Sequence, residues 1–271
     1  MEKLNAVIFS KDRACQLDLL LRSIERYVQG GDQIRFSILY TATTPEFDQG
    51  YERVRKFFPA MSFHDERMEP GDFKRQILRF ADPRIPCIMF LVDDDLFKNP
   101  FSVADQPFRT FERDREQLCL SLRLGKHIRY CYSMDLPTSP PRFASDWDWD
   151  WKGLDGDWGY PMSLDGHIFR TTDLLSLLMS RVYSNPNTLE ATLAAQPLGK
   201  PKMSCYEYSR IMNLPINKVQ HVFDNRVGNV DHVVLNDLFL KERRRIRLEP
   251  FDGFVNVSVH QELPLEYSQI R

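Results

Sequence analysis

The sequence lacks several features that mark common classes of protein. Its five cysteines are widely scattered and form no C-x-x-C pair, which argues against a zinc site and fits reduced thiols better than disulfides. No apolar stretch approaches the roughly 20 residues that cross a bilayer, and the N-terminal residues do not have the layout of a signal peptide. We therefore expect a cytoplasmic protein.

A charge surplus of one sign and a phosphate-binding loop are also absent. The net charge is −2, whereas a nucleic-acid-binding protein normally carries a basic surplus. The chain has no EF-hand loop of the D-x-D-x-D-G kind, and no glycine-rich loop follows its first apolar run. With 42% hydrophobic and 27% charged residues, the composition is that of a globular domain with a substantial core.

The first part of the chain alternates short apolar runs with segments of helical periodicity. Strands are predicted at 5–10, 35–40 and 61–64, and helices at 16–27, 47–58 and 73–80, the last with Asp72 as its N-cap. This alternation predicts an α/β fold with a parallel sheet and right-handed crossovers.

An apolar run that ends in three aspartates is the most informative feature. Residues 88–92 (IMFLV) predict a strand buried on both faces, and they lead directly into Asp93, Asp94 and Asp95. Strand alternation would place Asp93 and Asp95 on one side and Asp94 on the other. Two carboxylates at the carboxyl end of a strand suit Mg²⁺ or Mn²⁺. The alternative is a solvated acidic turn.

The second part of the chain is less regular. Helices are predicted at 111–124, 172–179 and 188–195, and strands at 127–133 and 218–223. Residues 137–162 hold all four tryptophans among Pro, Gly and Asp residues. We predict one domain, with a nucleotide-handling half at 1–100 and an irregular half at 101–240. A basic tail at 241–271 follows, and its run from Lys241 to Arg247 is predicted to be a solvated helix face.

Three segments in order carry a resemblance to a known family. They are VIFSKDRACQLDLLLRSI, VDDDLF, and DGHIFRTTDLL followed by NPNTLEATL. With them, the chain from about Ala6 to His221 resembles the GT-A fold of nucleotide-sugar-dependent glycosyltransferases, most nearly the family 2-like and exostosin-like groups. The resemblance implies one catalytic domain with a mainly parallel central sheet flanked by helices. It also implies metal-dependent transfer of a sugar from a nucleoside-diphosphate sugar, for which a UDP-sugar is the first expectation. The expected role is in cell-surface polysaccharide synthesis.

The resemblance also implies roles for residues at the donor end. Nucleotide contacts are expected from Ser10, Asp12, Arg13, Lys74, Arg75 and Asp94, and Mn²⁺ or Mg²⁺ ligation from Asp93, Asp95 and His221. For Lys74 and Arg75 the alternative is ordinary helix-surface charge. For His221 it is a hydrogen-bonded structural histidine.

At the acceptor end, the resemblance implies contacts from Trp158, Asp157 and His167 to a glycan or a lipid-linked glycan. The alternative is that the tryptophans only hold a long loop against the core. An inverting transferase needs a carboxylate base, and both Glu190 and Asp165 are candidates. Glu190 could instead complete a capping box that begins at Asn187.

Two further interpretations concern function. The run from Lys241 to Arg247 could contact anionic lipid headgroups at the inner face of a membrane. A non-catalytic carbohydrate-binding protein or a nucleotidyltransferase on a related nucleotide-binding sheet is the alternative to a glycosyltransferase.

Overall fold

The computed structural model describes residues 1–69, 71–219 and 226–270. Its strands, in chain order, are β1 (Leu4–Lys11), β2 (Val28–Gln29), β3 (Ile34–Thr41), β4 (Ser62–Asp65), β5 (Cys87–Val92), β6 (Asp95–Phe97), β7 (Phe101–Ser102), β8 (Gln117–Gly125), β9 (Tyr130–Cys131), β10 (Leu136–Pro137), β11 (Asp148–Asp150), β12 (His167–Arg170), β13 (Lys202–Tyr206), β14 (Ile211–Asn213), β15 (Arg244–Ile246) and β16 (Tyr267–Gln269). The helices are α1 (Ala14–Tyr27), α2 (Pro45–Phe57), α3 (Phe73–Phe80), α4 (Gln106–Arg113), α5 (Thr171–Ser180), α6 (Pro186–Ala195) and α7 (His232–Leu240).

An eight-stranded sheet in the order β11-β13-β8-β12-β5-β1-β3-β4 forms the centre of the fold. The strands β5, β1, β3 and β4 run parallel to one another, which confirms the parallel sheet predicted for the first part of the chain. The strand β12 lies antiparallel between β5 and β8, and β11 is antiparallel at the edge. The α/β fold with a mixed, mainly parallel sheet flanked by helices is therefore confirmed.

Two apolar cores lie on opposite faces of this sheet. In β1, Ala6 and Ile8 belong to one core, whereas Val7 and Phe9 belong to the other. The strand β5 divides its side chains in the same way, as expected where successive residues point to opposite faces. The prediction that residues 88–92 form a strand buried on both faces is confirmed.

The predicted helix at 111–124 is wrong. The helix α4 ends at Arg113, and β8 follows as a strand that is buried along its whole length. Leucines at 118, 120, 122 and 124 recur every second residue, which is the period of a strand. Leucine favours helices, but burial at the centre of a sheet outweighs that preference.

Other predictions for the second part of the chain have mixed outcomes. Helices α5 and α6 confirm those predicted at 172–179 and 188–195. The strand predicted at 127–133 shortens to the two residues of β9. Most of the strand predicted at 218–223 lies outside the described residues. The predicted metal ligand His221 also lies outside them. In the described part of the chain, no helix is both long and apolar enough to cross a membrane.

The residues predicted to form a basic tail pack on the body of the domain. The strand β15 pairs antiparallel with β16, and Ile246, Leu248 and Phe251 are buried in the same core as Ile8. The basic run is therefore not a solvated helix face. Only Arg244–Ile246 of this run is extended, as β15, and the burial of Ile246 holds that strand against the protein.

Replacing Phe251 with alanine tests whether this segment belongs to the core. Phe251 is 2% exposed, so Phe251→Ala is expected to lower the free energy of unfolding by about 3 kcal/mol, measured by urea denaturation. Val255, which is 56% exposed, supplies the control, and Val255→Ala should change it by less than about 0.5 kcal/mol. Equal effects of the two substitutions would contradict the packing described here.

Candidate active site

A cleft of about 990 Å³ opens at the carboxyl ends of β1, β3 and β5. Ser10, Thr41, Asp93, Asp165 and Glu190 are among the residues that line it. Ligands of open α/β sheets bind at this edge because the loops that follow the strands meet there. The cleft is therefore the candidate active site.

Asp93 and Asp94 form an acidic turn between β5 and β6. The Arg13 Nη1 donates to Asp93 Oδ1 at 2.9 Å and to Asp94 Oδ2 at 3.0 Å. Asp95 is 1% exposed, and it accepts hydrogen bonds from Val92 N and Asn213 Nδ2 at 3.0 and 3.3 Å. The expected grouping of Asp93 with Asp95 is therefore corrected, because strand alternation stops where β5 ends at Val92.

A buried hydrogen-bond network holds the acidic turn in place. The Ser10 hydroxyl donates to Asp93 Oδ2 at 2.8 Å and lies 2.7 Å from the Tyr51 hydroxyl. The Arg13 backbone N–H donates to that hydroxyl at 3.2 Å. Burial opposes the charge of Arg13, but Asp93 and Asp94 raise the pKa of its guanidinium above the ordinary value. Arg13 is therefore a fixed cation of the cleft beside the acidic turn.

The acidic turn has the chemistry to hold a divalent cation. Asp93 and Asp94 both line the cleft, and carboxylate oxygens are the ligands that Mg²⁺ and Mn²⁺ prefer. Among the described residues, no three His, Cys, Asp or Glu side chains are grouped to hold a metal ion. Magnesium commonly takes only one or two protein carboxylates and completes its shell with phosphate and water. The two carboxylates fit such an ion.

The other predicted donor residues have different surroundings. Asp12 accepts hydrogen bonds from Thr43 N and Oγ1 at 2.7 and 2.9 Å, so it holds the loop that follows β3. The Lys74 ammonium donates to carbonyl oxygens of Met179 and Arg181 at the end of α5. Arg75 is exposed on α3. Within the described chain, the cleft lining includes Thr43 but neither Lys74 nor Arg75.

Arg123, Asp157, Asp165 and His260 form an ionic cluster that also lines the cleft. Arg123 is 3% exposed, and its Nη atoms lie 3.2 Å from Asp157 Oδ1 and 3.3 Å from Asp165 Oδ2. The His260 Nε2 lies 3.1 Å from the same Asp165 oxygen. Burial raises the pKa of Asp165, but the hydrogen bond and charge of His260, with Arg123, bring it below the ordinary value. Asp165 is therefore ionised at neutral pH.

Glu190 is another carboxylate that lines the cleft. Its Oε1 accepts a hydrogen bond from Leu164 N at 3.2 Å. Burial, followed by the charge of Asp165, raises the pKa of Glu190 to about 7. The capping box of α6 consists of Asn185 and Thr188, so the alternative in which Glu190 only completes a capping box is wrong.

Two of the predicted acceptor contacts lie in the core. Trp158 is 1% exposed and packs edge to face on Trp149, with ring centroids 5.1 Å apart. His167 is fully buried, bonds to the Pro161 carbonyl at 3.2 Å, and has its pKa lowered by burial to about 3. The tryptophan pair thus holds the loop, which was the alternative interpretation. Asp157 does line the cleft.

Comparisons with known proteins show what the chain as a whole is similar to. No protein-family model matches the chain. The sequence is 26% identical over 260 residues to the bifunctional glycosyltransferase pgtA of Dictyostelium discoideum. The chain is homologous to a glycosyltransferase. The match covers 82% of this chain and 33% of pgtA, so the chain spans about a third of the length of that relative.

A solved structure shares the fold. The S. aureus TarS 1-349 complex with UDP-GlcNAc has a TM-score of 0.50 and 13% identity, over 76% of this chain and 56% of TarS. At this identity the likeness concerns the fold, and it agrees with the sheet of this chain described above.

Several residues of the site have no clear signal in the sequence. Arg123 lies in β8, a strand that the sequence pattern wrongly assigns to a helix. Asn213 donates to Asp94 Oδ1 at 3.1 Å as well as to Asp95, although more than a hundred residues separate it from the acidic turn. Tyr51 and His260 likewise reach the site only through the tertiary fold.

Proposed function

We propose that this chain is a glycosyltransferase domain that moves a sugar from a nucleoside-diphosphate sugar to a hydroxyl of a glycan or glycoconjugate. One observation carries the proposal. A single cleft holds the acidic turn with Arg13 and the carboxylates Asp165 and Glu190. This arrangement offers a place for a charged leaving group and a base for the attacking hydroxyl. The similarity to pgtA supports the same activity.

The donor would bind with its diphosphate at the acidic turn. Arg13 offers a fixed positive charge there, and Asp93 and Asp94 would hold Mg²⁺ or Mn²⁺. Such an ion, when bound, neutralises negative charge that develops on the departing diphosphate. Ser10 and Tyr51 orient Asp93 and Arg13 beneath this position. A UDP-sugar is our proposed donor, because TarS shares the fold and binds UDP-GlcNAc.

Asp165 is our proposed base, with Glu190 as the alternative. Asp165 is ionised, and it lies near Asp95. Burial is the largest cause of the raised pKa of Asp95, and the charge of Asp165 is the next largest. The acceptor hydroxyl would give its proton to Asp165 as its oxygen bonds to the anomeric carbon and the bond to the diphosphate breaks. Of these two carboxylates, Glu190 has the pKa closer to neutral pH. That is the range that suits a general base.

The acceptor would enter past a rim of the cleft that has both apolar and polar side chains. Tyr132, Met134 and Leu154 offer apolar surface there, and Asp155 and Asp157 offer hydrogen-bond acceptors for hydroxyl groups. A sugar ring has both an apolar face and hydroxyls, so this rim suits a glycan. A role in cell-surface polysaccharide synthesis remains part of this proposal.

The proposal does not extend to membrane contact through the run from Lys241 to Arg247. Lys241 lies 2.8 Å from Asp237, and Arg247 lies 2.6 Å from Glu266. These carboxylates offset much of the positive charge that would attract anionic headgroups.

Calorimetric titration with UDP, GDP, CDP and dTDP, each with and without Mn²⁺, tests the proposal. We expect one nucleotide to bind in the presence of Mn²⁺ and to be released by EDTA. Release of the nucleoside diphosphate from the matching nucleotide sugar, with an oligosaccharide acceptor, would then identify transfer. A nucleotidyltransferase would instead consume a nucleoside triphosphate and release pyrophosphate. If no nucleotide bound in either condition, the carbohydrate-binding alternative would replace the transferase.

A further inference from the structure

His260 reaches the cleft through main-chain hydrogen bonds to β14. Asn213 N donates to the Val259 carbonyl at 2.9 Å, and Gln261 N donates to the Asn213 carbonyl at 3.1 Å. The backbone on both sides of His260 is therefore fixed by one residue. Because Asn213 also donates to Asp94 and Asp95, the histidine is held in register with the acidic turn.

Within the described ranges, the imidazole of His260 has one hydrogen-bond partner. Its Nε2 lies 3.1 Å from Asp165 Oδ2, whereas its Nδ1 is buried and has no hydrogen-bond partner among the described residues. A ring nitrogen that faces a carboxylate must carry a proton in order to bond to it. Nε2–H therefore donates to Asp165.

Asp165 Oδ2 receives a second hydrogen bond, from Arg123 Nη1 at 3.3 Å. No residue in the described ranges donates to Oδ1, and the side chain of Asp165 keeps 16% of its surface exposed. Two donors thus hold one oxygen of the carboxylate. They are Arg123 of β8 and His260 of the C-terminal segment, the part of the chain that follows β15. The other oxygen is left for the cleft.

We propose that His260 is a positioning residue for Asp165. Its Nε2–H, together with Arg123, holds Asp165 Oδ2 so that Oδ1 faces the acceptor hydroxyl. The histidine keeps its own proton, and the proton of the acceptor goes to Asp165 Oδ1. The inference rests on the proposed transferase function, with Asp165 as base, and it brings the C-terminal segment into the active site.

Three substitutions of His260 separate this role from a merely structural one. The amide nitrogen of glutamine can take the place of Nε2, whereas asparagine is too short and alanine has no donor. We expect His260→Ala and His260→Asn to lower kcat about 30-fold, since a small misplacement of a reacting group costs up to about 100-fold. His260→Gln should keep kcat within about threefold of the wild type. In all three variants, KM for the donor should stay unchanged.

The outcomes distinguish the inference from the proposed function. Because His260→Ala removes a partly buried ring, the melting temperature of this variant is measured. If the alanine variant does not fold, the His260→Asn variant decides the comparison. The matched control is His232→Ala, at the start of α7, which should leave kcat unchanged. Equal losses of kcat in the Gln and Asn variants, or no loss in either, would overturn the positioning role. Absence of nucleotide binding by the wild type would instead overturn the transferase proposal.

Discussion

Replacing Asp165 with asparagine is expected to lower kcat by about 1,000-fold, because general-base catalysis contributes roughly 10²- to 10⁴-fold. Asparagine keeps the shape of the side chain and can still accept a hydrogen bond from Arg123, but it cannot take a proton. Among the described residues, Asp165 shares no hydrogen bond with Arg13, Asp93 or Asp94, so the dissociation constant of the nucleotide should not change. Steady-state kinetics of sugar transfer and nucleotide titration measure the two quantities.

The pH dependence of kcat in the wild type distinguishes Asp165 from Glu190. A base acts in its deprotonated form. Because the pKa of Asp165 is lowered, kcat should stay constant as the pH falls from about 8 towards about 5, above the ordinary aspartate pKa of about 3.9. If Glu190 is the base, kcat should instead fall with the pH through about 7.

Matched variants complete this comparison. Asp150→Asn makes the same change at an exposed residue of β11 and should leave kcat unaltered. A loss of kcat in Glu190→Gln as large as that expected for Asp165→Asn, with an unaffected Asp165→Asn, would transfer the role of base to Glu190.

Replacing Asp94 with asparagine is expected to weaken Mn²⁺-dependent nucleotide binding about 100-fold, which corresponds to about 2.7 kcal/mol. Asp94 lines the cleft, and an amide is a much poorer ligand for a hard cation than a carboxylate. Arg13 would still pair with Asp93, so the fold should be preserved. Titration calorimetry with and without EDTA gives the affinity, and thermal unfolding checks the fold.

Asp32→Asn is the control for this variant. Asp32 is exposed and precedes β3, at the opposite end of that strand from the cleft, so its replacement should not affect nucleotide binding. If Asp94→Asn bound the nucleotide as tightly as the wild type, with the same sensitivity to EDTA, then the acidic turn would not be the cation site.

Local patterns in the sequence predict much of the parallel part of the fold. Apolar runs of strand length, alternating with helical periodicity, correctly predict β1, β3, β5 and the helices between them. The end of an apolar run also locates the acidic turn, because carboxylates cannot continue a buried strand without compensation. Asp165 and Glu190, chosen from the sequence, both line the same cleft as the acidic turn.

The remaining features depend on contacts between distant parts of the chain. The strand β8 contains leucines that suit a helix as well as a strand, and its place in the sheet decides between the two. Arg123 consequently enters the site through an element that the sequence pattern misassigns. Asp94 turns towards Arg13 because the chain leaves β5 in a turn, where strand alternation no longer applies.

What the sequence by itself determined is therefore the strand-and-helix order of the first half and the chemistry available at the ends of its strands. Only the tertiary structure decided which groups meet. His260 and Asp165 lie 95 residues apart in the chain and 3.1 Å apart in space. Periodicity reports which face of an element is buried, but the order of strands in the sheet brings side chains from different elements together.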